Sequence, residues 1–243
     1  MNGHIHPAET AKMHLEKHAE NKGSMLRQLI LGGQDGLVNT LGVILAVAAA
    51  TSDIKIVIIA DMAAAVAESI SMAAVGYTSA KAAHDYYKAK RAQEEREVEE
   101  IPEVEREEIK LIYYRKGLRG KQLDEVVSGI TSDKKLWVDT MMVEEFGLSE
   151  SEDLNPTSEA LWIGLSAFIG SLVPLIPFFL FSVSNAVVAA IIISVFTLFG
   201  VGVLKAKTTE GSWWKGGIEM AAIGMGAAIA GYLIGAALGV TIV

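Results

Sequence analysis

The chain has no cysteine among its 243 residues. It therefore has no disulfide framework, no thiolate zinc site, no iron–sulfur cluster and no cysteine nucleophile. Basic residues are also few: 21 Lys and Arg stand against 29 Asp and Glu, the formal net charge is −8 and the pI is 5.2. Because phosphate backbones are bound by clustered Lys and Arg, this balance argues against nucleic acid as a partner.

Aromatic residues are scarce too, at 7% of a chain that is 51% hydrophobic and has a mean hydropathy of +0.35. The apolar residues are mainly Ala, Ile, Val, Leu and Gly, the mixture typical of tightly packed membrane helices. Long stretches carry almost no charge. Residues 29–50 contain only Asp35, 160–204 contain no charged residue and 216–243 contain only Glu219. An ordinary soluble enzyme does not fit this composition.

These stretches predict five membrane-spanning helices. One span needs about 20 apolar residues, so the 45 uncharged residues 160–204 form two spans joined by a tight turn near Ser182. Leaving so much apolar surface in water would cost roughly 25 cal/mol per Å², which argues against a buried helix of a soluble domain. The other three spans are residues 29–50, 56–80 and 216–243.

Basic residues flank the spans on one side of the membrane, whereas the opposite loops, 51–55 and 182–185, contain one Lys between them. The positive-inside rule therefore places the N-terminus and the charged segment 82–159 in the cytosol and the C-terminus outside. The basic groups precede the first span, follow the second and separate the fourth from the fifth: Lys12, Lys17, Lys22, Arg27, Lys81, Lys88, Lys90, Arg91, Lys205, Lys207 and Lys215.

The charged segment is too long for a loop and too charged to enter lipid, with 19 acidic and 12 basic residues between 85 and 153. Its pattern predicts a helix over 86–114 with a break or restart at Pro102. Helices over 122–128 and 134–146 follow, and Gly147 ends the last one. At this length we expect little core of its own and packing against a partner copy.

The fold class is therefore all-α: an integral membrane bundle of five transmembrane helices with a helical cytoplasmic module between helices two and three. Four segments follow along the chain. They are an N-terminal amphipathic or cytoplasmic segment (1–28), the first two spans (29–81), the charged segment (82–159) and the last three spans (160–243).

Carboxylates recur at helical spacing in the charged segment. Glu97 and Glu100 are three residues apart, as are Glu105 and Glu108, so each pair shares a helix face. Carboxylates alone suit Mg²⁺, Ca²⁺ or Mn²⁺, and thioethers beside them favour later transition metals such as Fe²⁺. The same residues also fit a solvated acidic helix with core methionines. The second group closes the segment: Met141, Met142 and Glu145.

Ionisable residues inside spans are a stronger signal, because each costs at least about 2.5 kcal/mol at the bilayer centre. Asp35 lies near the start of span one and Glu219 near the start of span five, where headgroup anchoring would also explain them. In span two, Asp61, Glu68 and Met72 are spaced seven and four residues apart, which places them close to one line on a helix. These side chains predict a path for a divalent cation, or for protons released as it binds.

Glycines and prolines mark how the spans pack. Four-residue glycine spacing lets helix backbones approach closely. Pro174 and Pro177 would kink span three and free backbone carbonyls. The glycines with this spacing are Gly32 and Gly36 in span one and Gly231, Gly235 and Gly239 in span five.

Several motifs occur in order along the chain. They are Asp35-Gly36-Leu37-Val38-Asn39, Ser71-Met72, Trp137-Val138-Asp139-Thr140-Met141-Met142-Val143-Glu144-Glu145, Leu172-Val173-Pro174-Leu175-Ile176-Pro177 and Gly202-Val203-Leu204-Lys205-Ala206-Lys207. Together they resemble the vacuolar iron transporter family, in its prokaryotic type. The resemblance runs from about Met25 to the C-terminus, and any single motif would be unspecific.

The resemblance implies a multi-pass homodimer that exports Fe²⁺, and often Mn²⁺, from the cytosol in exchange for protons. It also implies that the protein is not an enzyme. In a prokaryote the membrane would be the cell membrane. The sequence does not rank Fe²⁺ against Mn²⁺, Co²⁺, Ni²⁺ or Zn²⁺ as the transported ion, and no prosthetic group is implied. By motif, Asp35 and Met72 resemble ligands of the translocation path. The implied cytoplasmic metal ligands are Glu97, Glu100, Glu105, Glu108, Met141, Met142 and Glu145.

The chain departs from the family pattern in span two and in the charged segment. Many members carry a Glu one turn after the Ser-Met pair, where this chain has Gly76, and it instead offers Glu68 one turn before Met72. The stretch between Glu100 and Glu105 is short, which makes Glu105 and Glu108 the less secure ligands. Four N-terminal histidines fall outside the resemblance and fit an interfacial amphipathic helix: His4, His6, His14 and His18.

Two alternatives remain open from the sequence. A membrane-tethered di-iron protein that oxidises Fe²⁺ would need Glu-x-x-His pairs, and the one histidine of the charged segment, His84, precedes its glutamates. A metal sensor without transport would use the same cytoplasmic ligands. The leading interpretation loads cytosolic metal on the charged segment and passes it to Asp35, Glu68 and Met72, with Glu219 at the cytoplasmic end of the path.

Overall fold

The computed structural model describes residues 22–149, 155–208 and 211–242. All regular structure within these ranges is helical, which confirms the all-α class. One short 3₁₀ helix in these ranges spans Ile176–Phe179. The helices are α1 (Lys22–Ala50), α2 (Ile54–Glu100), α3 (Pro102–Arg115), α4 (Gly120–Thr131), α5 (Lys134–Glu144), α6 (Pro156–Leu175), α7 (Val183–Thr208) and α8 (Trp213–Ile242).

Five of the described helices are long and apolar enough to cross a membrane: α1, α2, α6 with its 3₁₀ extension, α7 and α8. This confirms the five predicted spans. The predicted N-terminal helix and its four histidines lie outside the described residues. The turn between the third and fourth spans is shorter than the predicted loop 182–185, because α7 already begins at Val183.

The described residues form two compact units. The membrane unit comprises the chain up to Tyr77 and again from Thr157, and the helical module comprises Thr78 to Pro156. Helix α2 contributes to both units. Its 47 residues make it about 70 Å long, against a hydrocarbon core of about 30 Å. Since closely spaced charges begin only at Lys81, the apolar first half is the span and the charged second half lies beyond it.

The membrane unit packs through glycines. A Cβ added to Gly36 on α1 would lie 2.1 Å from the Ala167 carbonyl oxygen on α6, and one added to Gly235 on α8 would lie 2.1 Å from the Ala46 carbonyl oxygen on α1. Such distances leave no room for a side chain, so backbones touch where the four-residue spacing predicted. A Cβ added to Gly32 or to Gly231 would also meet a neighbouring helix, at 2.2 Å and 2.6 Å, whereas the surroundings of Gly239 are not described.

An apolar cluster fills the membrane unit near the short connections 51–53 and 180–182, which we call the short-loop end. Leu41, Val57, Leu175, Phe178 and Ala190 are buried in it. Five helices contribute side chains, because each span presents one buried stripe to the others. The spans therefore share an apolar core at this end.

The helical module has a core of its own, contrary to our expectation from its length. Val98 of α2, Ile109 of α3, Leu123 of α4 and Trp137 of α5 pack together and are buried. The helix breaks fall where predicted, since Pro102 starts α3 and Gly147, at φ +66°, follows the end of α5. Four short amphipathic stretches folded around one aromatic centre can bury enough surface for a small core.

Candidate functional site

The first candidate site lies within the membrane unit, where α1 and α2 bring two acids together. The Glu68 side chain is within hydrogen-bonding reach of both Asp35 and Asn39. The acids are half-buried, and Asn39 is exposed. Two carboxyl groups in contact repel unless a proton or a cation lies between them. The structure thus brings Asp35 and Glu68, two of the predicted path residues, into one polar spot between apolar helices.

Met72 and Glu219, the other two predicted path residues, differ in their exposure and in their neighbours. Met72 follows Glu68 by one turn of α2 and is half-buried, so its thioether is on the stripe that continues from the acid pair. Glu219 lies near the start of α8 with a side chain that is 61% exposed, and its carboxylate is 4.0 Å from the Lys205 ammonium. The structure therefore pairs Glu219 with a lysine at the α7–α8 connection and not with the other predicted path acids.

The second candidate site is a cluster of five carboxylates in the helical module, which we call the glutamate cluster: Glu94, Glu97, Glu105, Glu108 and Glu145. Glu94 and Glu105 are only 1% and 3% exposed. The Glu94 and Glu97 carboxyl groups are within hydrogen-bonding reach of each other. One oxygen of Glu94 and one of Glu105 have no hydrogen-bond partner among the described residues.

Burial and mutual repulsion shift the protonation of this cluster. Burial, with help from Glu105, Glu145 and Glu97, raises the pKa of Glu94 to about 8. Burial and the charges of Glu108, Glu97 and Glu145 raise the pKa of Glu105 to about 7. The pKa of Glu145 is raised by partial burial, then by Glu108 and Glu97, although nearby Lys90 opposes the shift. A buried set of acids that repel one another binds protons or a cation strongly, because either one removes the repulsion.

Local sequence explains how the elements aim these acids inward. Glu94 precedes the buried Val98 by one helical turn on α2, and Glu105 precedes the buried Ile109 by one turn on α3. Each acid therefore continues an apolar stripe into the core. The restart at Pro102 turns α3 so that its stripe meets that of α2. Met141 and Met142 on α5 are 0% and 1% exposed in the same core.

Polar contacts hold α2 and α5 around the cluster. The Arg91 guanidinium donates to Asp139 on α5 at 2.7 Å. Gln93 Nε2 donates to Glu97 Oε1 at 3.1 Å, and Lys90 Nζ donates to Gln93 Oε1 at 3.0 Å. These bonds orient Glu97 and bring a positive charge near the rim of the cluster, which is the kind of outer support that fixes metal-ligating groups.

The structure leaves one member of the predicted set outside the glutamate cluster. Glu100 is exposed and is not among the groups that act on Glu94, Glu105 or Glu145. Glu94 takes its place beside Glu97. Spacing alone could not decide, because Glu94, Glu97 and Glu100 are successively three residues apart. The missed signal was the apolar register, since Glu94 lies one turn before Val98 and Glu100 does not lie on that stripe.

The side chains as they stand do not form a closed coordination shell. Within the described ranges, no group of three or more His, Cys, Asp or Glu side chains is arranged to hold a metal ion. Thioethers such as that of Met141 would add to a mixed ligand set. His84 lies elsewhere, with its ring nitrogen Nδ1 3.6 Å from Asp85.

Known proteins are similar to this chain over most of its length. The sequence model described as the VIT family matches residues 26–236. "Vacuolar iron transporter 1" of Arabidopsis thaliana is 30% identical over 222 residues, which cover 91% of this chain and 88% of that protein. "Vacuolar iron transporter 1" of Oryza sativa subsp. japonica is 31% identical, with 90% and 87% covered. "Protein CCC1" of Saccharomyces cerevisiae is 30% identical, with 82% and 65% covered.

Proposed function

Because the chain belongs to the VIT family, a family of iron transporters by the names of its relatives, we propose that it exports Fe²⁺ from the cytosol in exchange for protons. It is a multi-pass membrane protein of a transporter family, and it is not an enzyme. The observation that carries the proposal is the pair of acid sites: one pair of carboxyl groups between the spans and one glutamate cluster in the helical module.

The glutamate cluster is the proposed loading site. Carboxylates of Glu94, Glu97, Glu105, Glu108 and Glu145 would bind a divalent cation, and the thioethers of Met141 and Met142 would favour Fe²⁺ over Mg²⁺ or Ca²⁺. Mn²⁺ fits the carboxylates as a second cargo. Co²⁺, Ni²⁺ and Zn²⁺ are further candidates, which competition for uptake would rank. Binding displaces the protons that the raised pKa values of Glu94 and Glu105 retain near neutral pH.

Asp35, Glu68 and Met72 are the proposed binding residues of the membrane path. The contact between Asp35 and Glu68 needs a proton or a cation as its partner, so one site can hold either in alternation. Exchange of one for the other is the elementary step of antiport. Carboxylate oxygens and one thioether again provide a mixed ligand set for Fe²⁺.

A homodimer is part of the proposal. Asn39 is exposed beside Asp35 and Glu68 in the single chain, at a depth where the surroundings of the spans are apolar. An exposed amide at that depth is costly unless another polar surface or water faces it. A second copy that covers this side of α1 would enclose the path residues. Exposed α2 side chains such as Ile59 and Ile70, 68% and 66% exposed, leave ample apolar surface for lipid or for that copy.

The orientation follows from the basic residues at one set of helix ends. We place the N-terminus and the helical module in the cytosol and the C-terminus on the far side. The relatives from Arabidopsis thaliana and Oryza sativa are named for vacuoles, and export from the cytosol into an organelle or out of a cell uses the same orientation. The oxidase alternative loses support, since His84 lies beside Asp85 and precedes Glu94 by ten residues, about 15 Å along the axis of α2.

Transport by the full-length protein in lipid vesicles tests the proposal. Asp35→Asn and Met72→Ala should each lower the initial rate of Fe²⁺ uptake about tenfold or more, since losing about 1.4 kcal/mol of stabilisation has that effect. Asp53→Asn is the matched control, because Asp53 is exposed at the short loop and Asn can still accept from the Lys55 backbone N–H. Wild-type rates in both path variants would overturn the membrane path.

A further inference from the structure

Asp61 is a buried acid that the two proposed sites do not use. It is 0% exposed, and neither of its carboxyl oxygens has a hydrogen-bond partner among the described residues. Glu68, seven residues further along α2, has Asp35 and Asn39 beside it. Asp61 lies about 10 Å nearer the short-loop end than Glu68, measured along the helix axis.

The buried neighbours of Asp61 on its own helix face are apolar. Val57 and Ala65 lie one turn before and one turn after it on the same face of α2, and both are 0% exposed. No charged group that the structure describes acts on it. Between Asp61 and the short-loop end lies the apolar cluster that contains Leu41, Val57 and Phe178. The other charged residues described in the membrane unit are Lys22, Arg27, Asp35, Asp53, Lys55, Glu68, Glu159, Lys205, Lys207, Lys215 and Glu219.

A carboxyl group in this position needs a partner, because a bare carboxylate in an apolar interior costs several kcal/mol. A divalent cation would need several further ligands, and the neighbouring aliphatic side chains offer none. Water would need room and other polar groups. A proton needs neither, since it binds one carboxyl oxygen and adds almost no volume.

We propose that Asp61 is the proton-binding group on the far side of the exchange, and that the short-loop end can close only when Asp61 carries its proton. This inference rests on the proposed function. When the apolar cluster opens, the ionised Asp61 carboxylate can attract a cation released from Asp35 and Glu68. A proton from the far compartment then binds Asp61, the cation leaves, and the apolar cluster closes over the neutral acid.

In each cycle, therefore, one proton must bind Asp61 before the short-loop end closes. The charge balance is simple: the carboxylate and one proton give the neutral acid, and no electron moves. Because an ionised Asp61 would hold the short-loop end open or hydrated, protons on the far side would drive the step that resets the protein. Metal flux without far-side protons would be slow for this reason.

The test is Asp61→Asn in the full-length protein, reconstituted in vesicles that contain a pH-sensitive dye, with Mn²⁺ as the probe. In the wild type, Mn²⁺ entry should release lumenal protons, and an acidic lumen should accelerate entry. In Asp61→Asn, the acceleration by an acidic lumen should fall about fivefold or more, the range of ordinary coupling between sites, and the proton count per Mn²⁺ should fall by one, the proton that Asp61 binds. Asp61→Glu should restore much of both.

Ser194→Ala is the matched control. Ser194 is also 0% exposed and its hydroxyl oxygen also lacks a hydrogen-bond partner among the described residues, so it separates the effect of an acid from that of any buried polar group. Ser194→Ala should keep wild-type coupling. Asp61→Asn should also unfold at the wild-type temperature or above, because a neutral isostere replaces a neutral acid.

The possible outcomes separate the two proposals. Wild-type coupling in Asp61→Asn, or failure of that variant to fold, overturns the role of Asp61 while export stands. Equal loss in Ser194→Ala overturns it as well. A wild type that moves Mn²⁺ without protons contradicts antiport, and the Asp61 inference falls with it. A wild type that moves neither Mn²⁺ nor Fe²⁺ contradicts the proposed function itself.

Discussion

Glu94 and Glu105 show how a single residue position acquires function in this chain. Each occupies a place on an apolar helical stripe where an aliphatic side chain would stabilise the fold more. Both are nearly fully buried, and each leaves one oxygen without a hydrogen-bond partner among the described residues. A native fold keeps such groups when a bound ligand or proton compensates their burial. Exposed acids such as Glu103 carry no comparable cost.

Substitution at two neighbouring acids tests the placement of the cluster. Glu94→Gln should weaken Mn²⁺ binding to the full-length protein about tenfold or more, because an interaction with a charged group contributes about 1.5–3 kcal/mol. Glu100→Gln should change the Kd by less than about twofold, as expected for an exposed charge. Titration calorimetry in detergent measures both. A larger effect at Glu100 would return the site to the face that spacing alone suggested.

The raised pKa values of Glu94 and Glu105, about 8 and about 7, predict proton release on metal binding. At about pH 6.5 both acids carry protons, so a cation must displace them, whereas at about pH 9 both are already ionised. Affinity should therefore fall as the pH is lowered through this window. Calorimetry in buffers of different ionisation enthalpy counts the protons released. An equal count at both pH values would contradict the shifts.

The same shifts govern the stability of the metal-free protein. A carboxyl group whose folded pKa lies above its unfolded value stabilises the fold fully below the unfolded pKa. That stabilisation is lost as the pH rises through the folded value, here about 7 for Glu105 and about 8 for Glu94. Metal ions should restore it at high pH. Hydrogen exchange in α3 and α5, corrected for intrinsic rates, reports the change where it arises.

At the scale of elements, α2 joins the two kinds of chemistry in one helix. Its apolar first half carries Asp61, Glu68 and Met72, and its charged second half carries Glu94 and Glu97. No proline or glycine pair interrupts the 47 residues between Ile54 and Glu100. A helix without a break keeps the register of its faces along its whole length. Ile101 leaves the helix and Pro102 starts the next one.

Close helix packing in the membrane unit depends on glycines, which have no side chain at the points where two backbones meet. Gly36→Ala should destabilise the protein by about 1–3 kcal/mol, the usual cost of overpacking, because the added Cβ would lie 2.1 Å from the Ala167 carbonyl oxygen. Gly200→Ala is the control, since a Cβ there meets nothing within 4 Å, and Ala favours a helix over Gly by about 1 kcal/mol. Thermal unfolding in detergent should separate the two variants in opposite directions. Equal effects would show that the α1–α6 contact is not tight.

At the scale of the molecule, the absence of cysteine makes the orientation directly testable. A single introduced thiol has no background. Glu103→Cys, in the helical module, should react with an impermeant maleimide from the cytosolic side, and Asp53→Cys, at the short-loop end, from the opposite side. Both positions are exposed in the structure. Labelling of both from one side would contradict five spans in the proposed orientation.

The length and charge of each segment determined most of the architecture in advance. Charge-free runs of span length require helices that cross lipid, because the backbone cannot remain unpaired there. Pro102 and Gly147 fixed helix ends by local geometry alone. The acids inside spans could also be identified from the sequence, because a charged residue within a long apolar run is easily recognised.

Only the tertiary structure decided which acids meet. Asp35 and Glu68 lie on different helices, and their contact depends on how α1 packs on α2. Glu94, Glu97 and Glu100 have the same spacing and the same chemistry, and the core formed with α3 and α5 selects the first two. Burial of Asp61 likewise arises from its neighbours. A sequence determines local conformation and solubility residue by residue, whereas desolvation and repulsion between side chains exist only once separate helices are brought together.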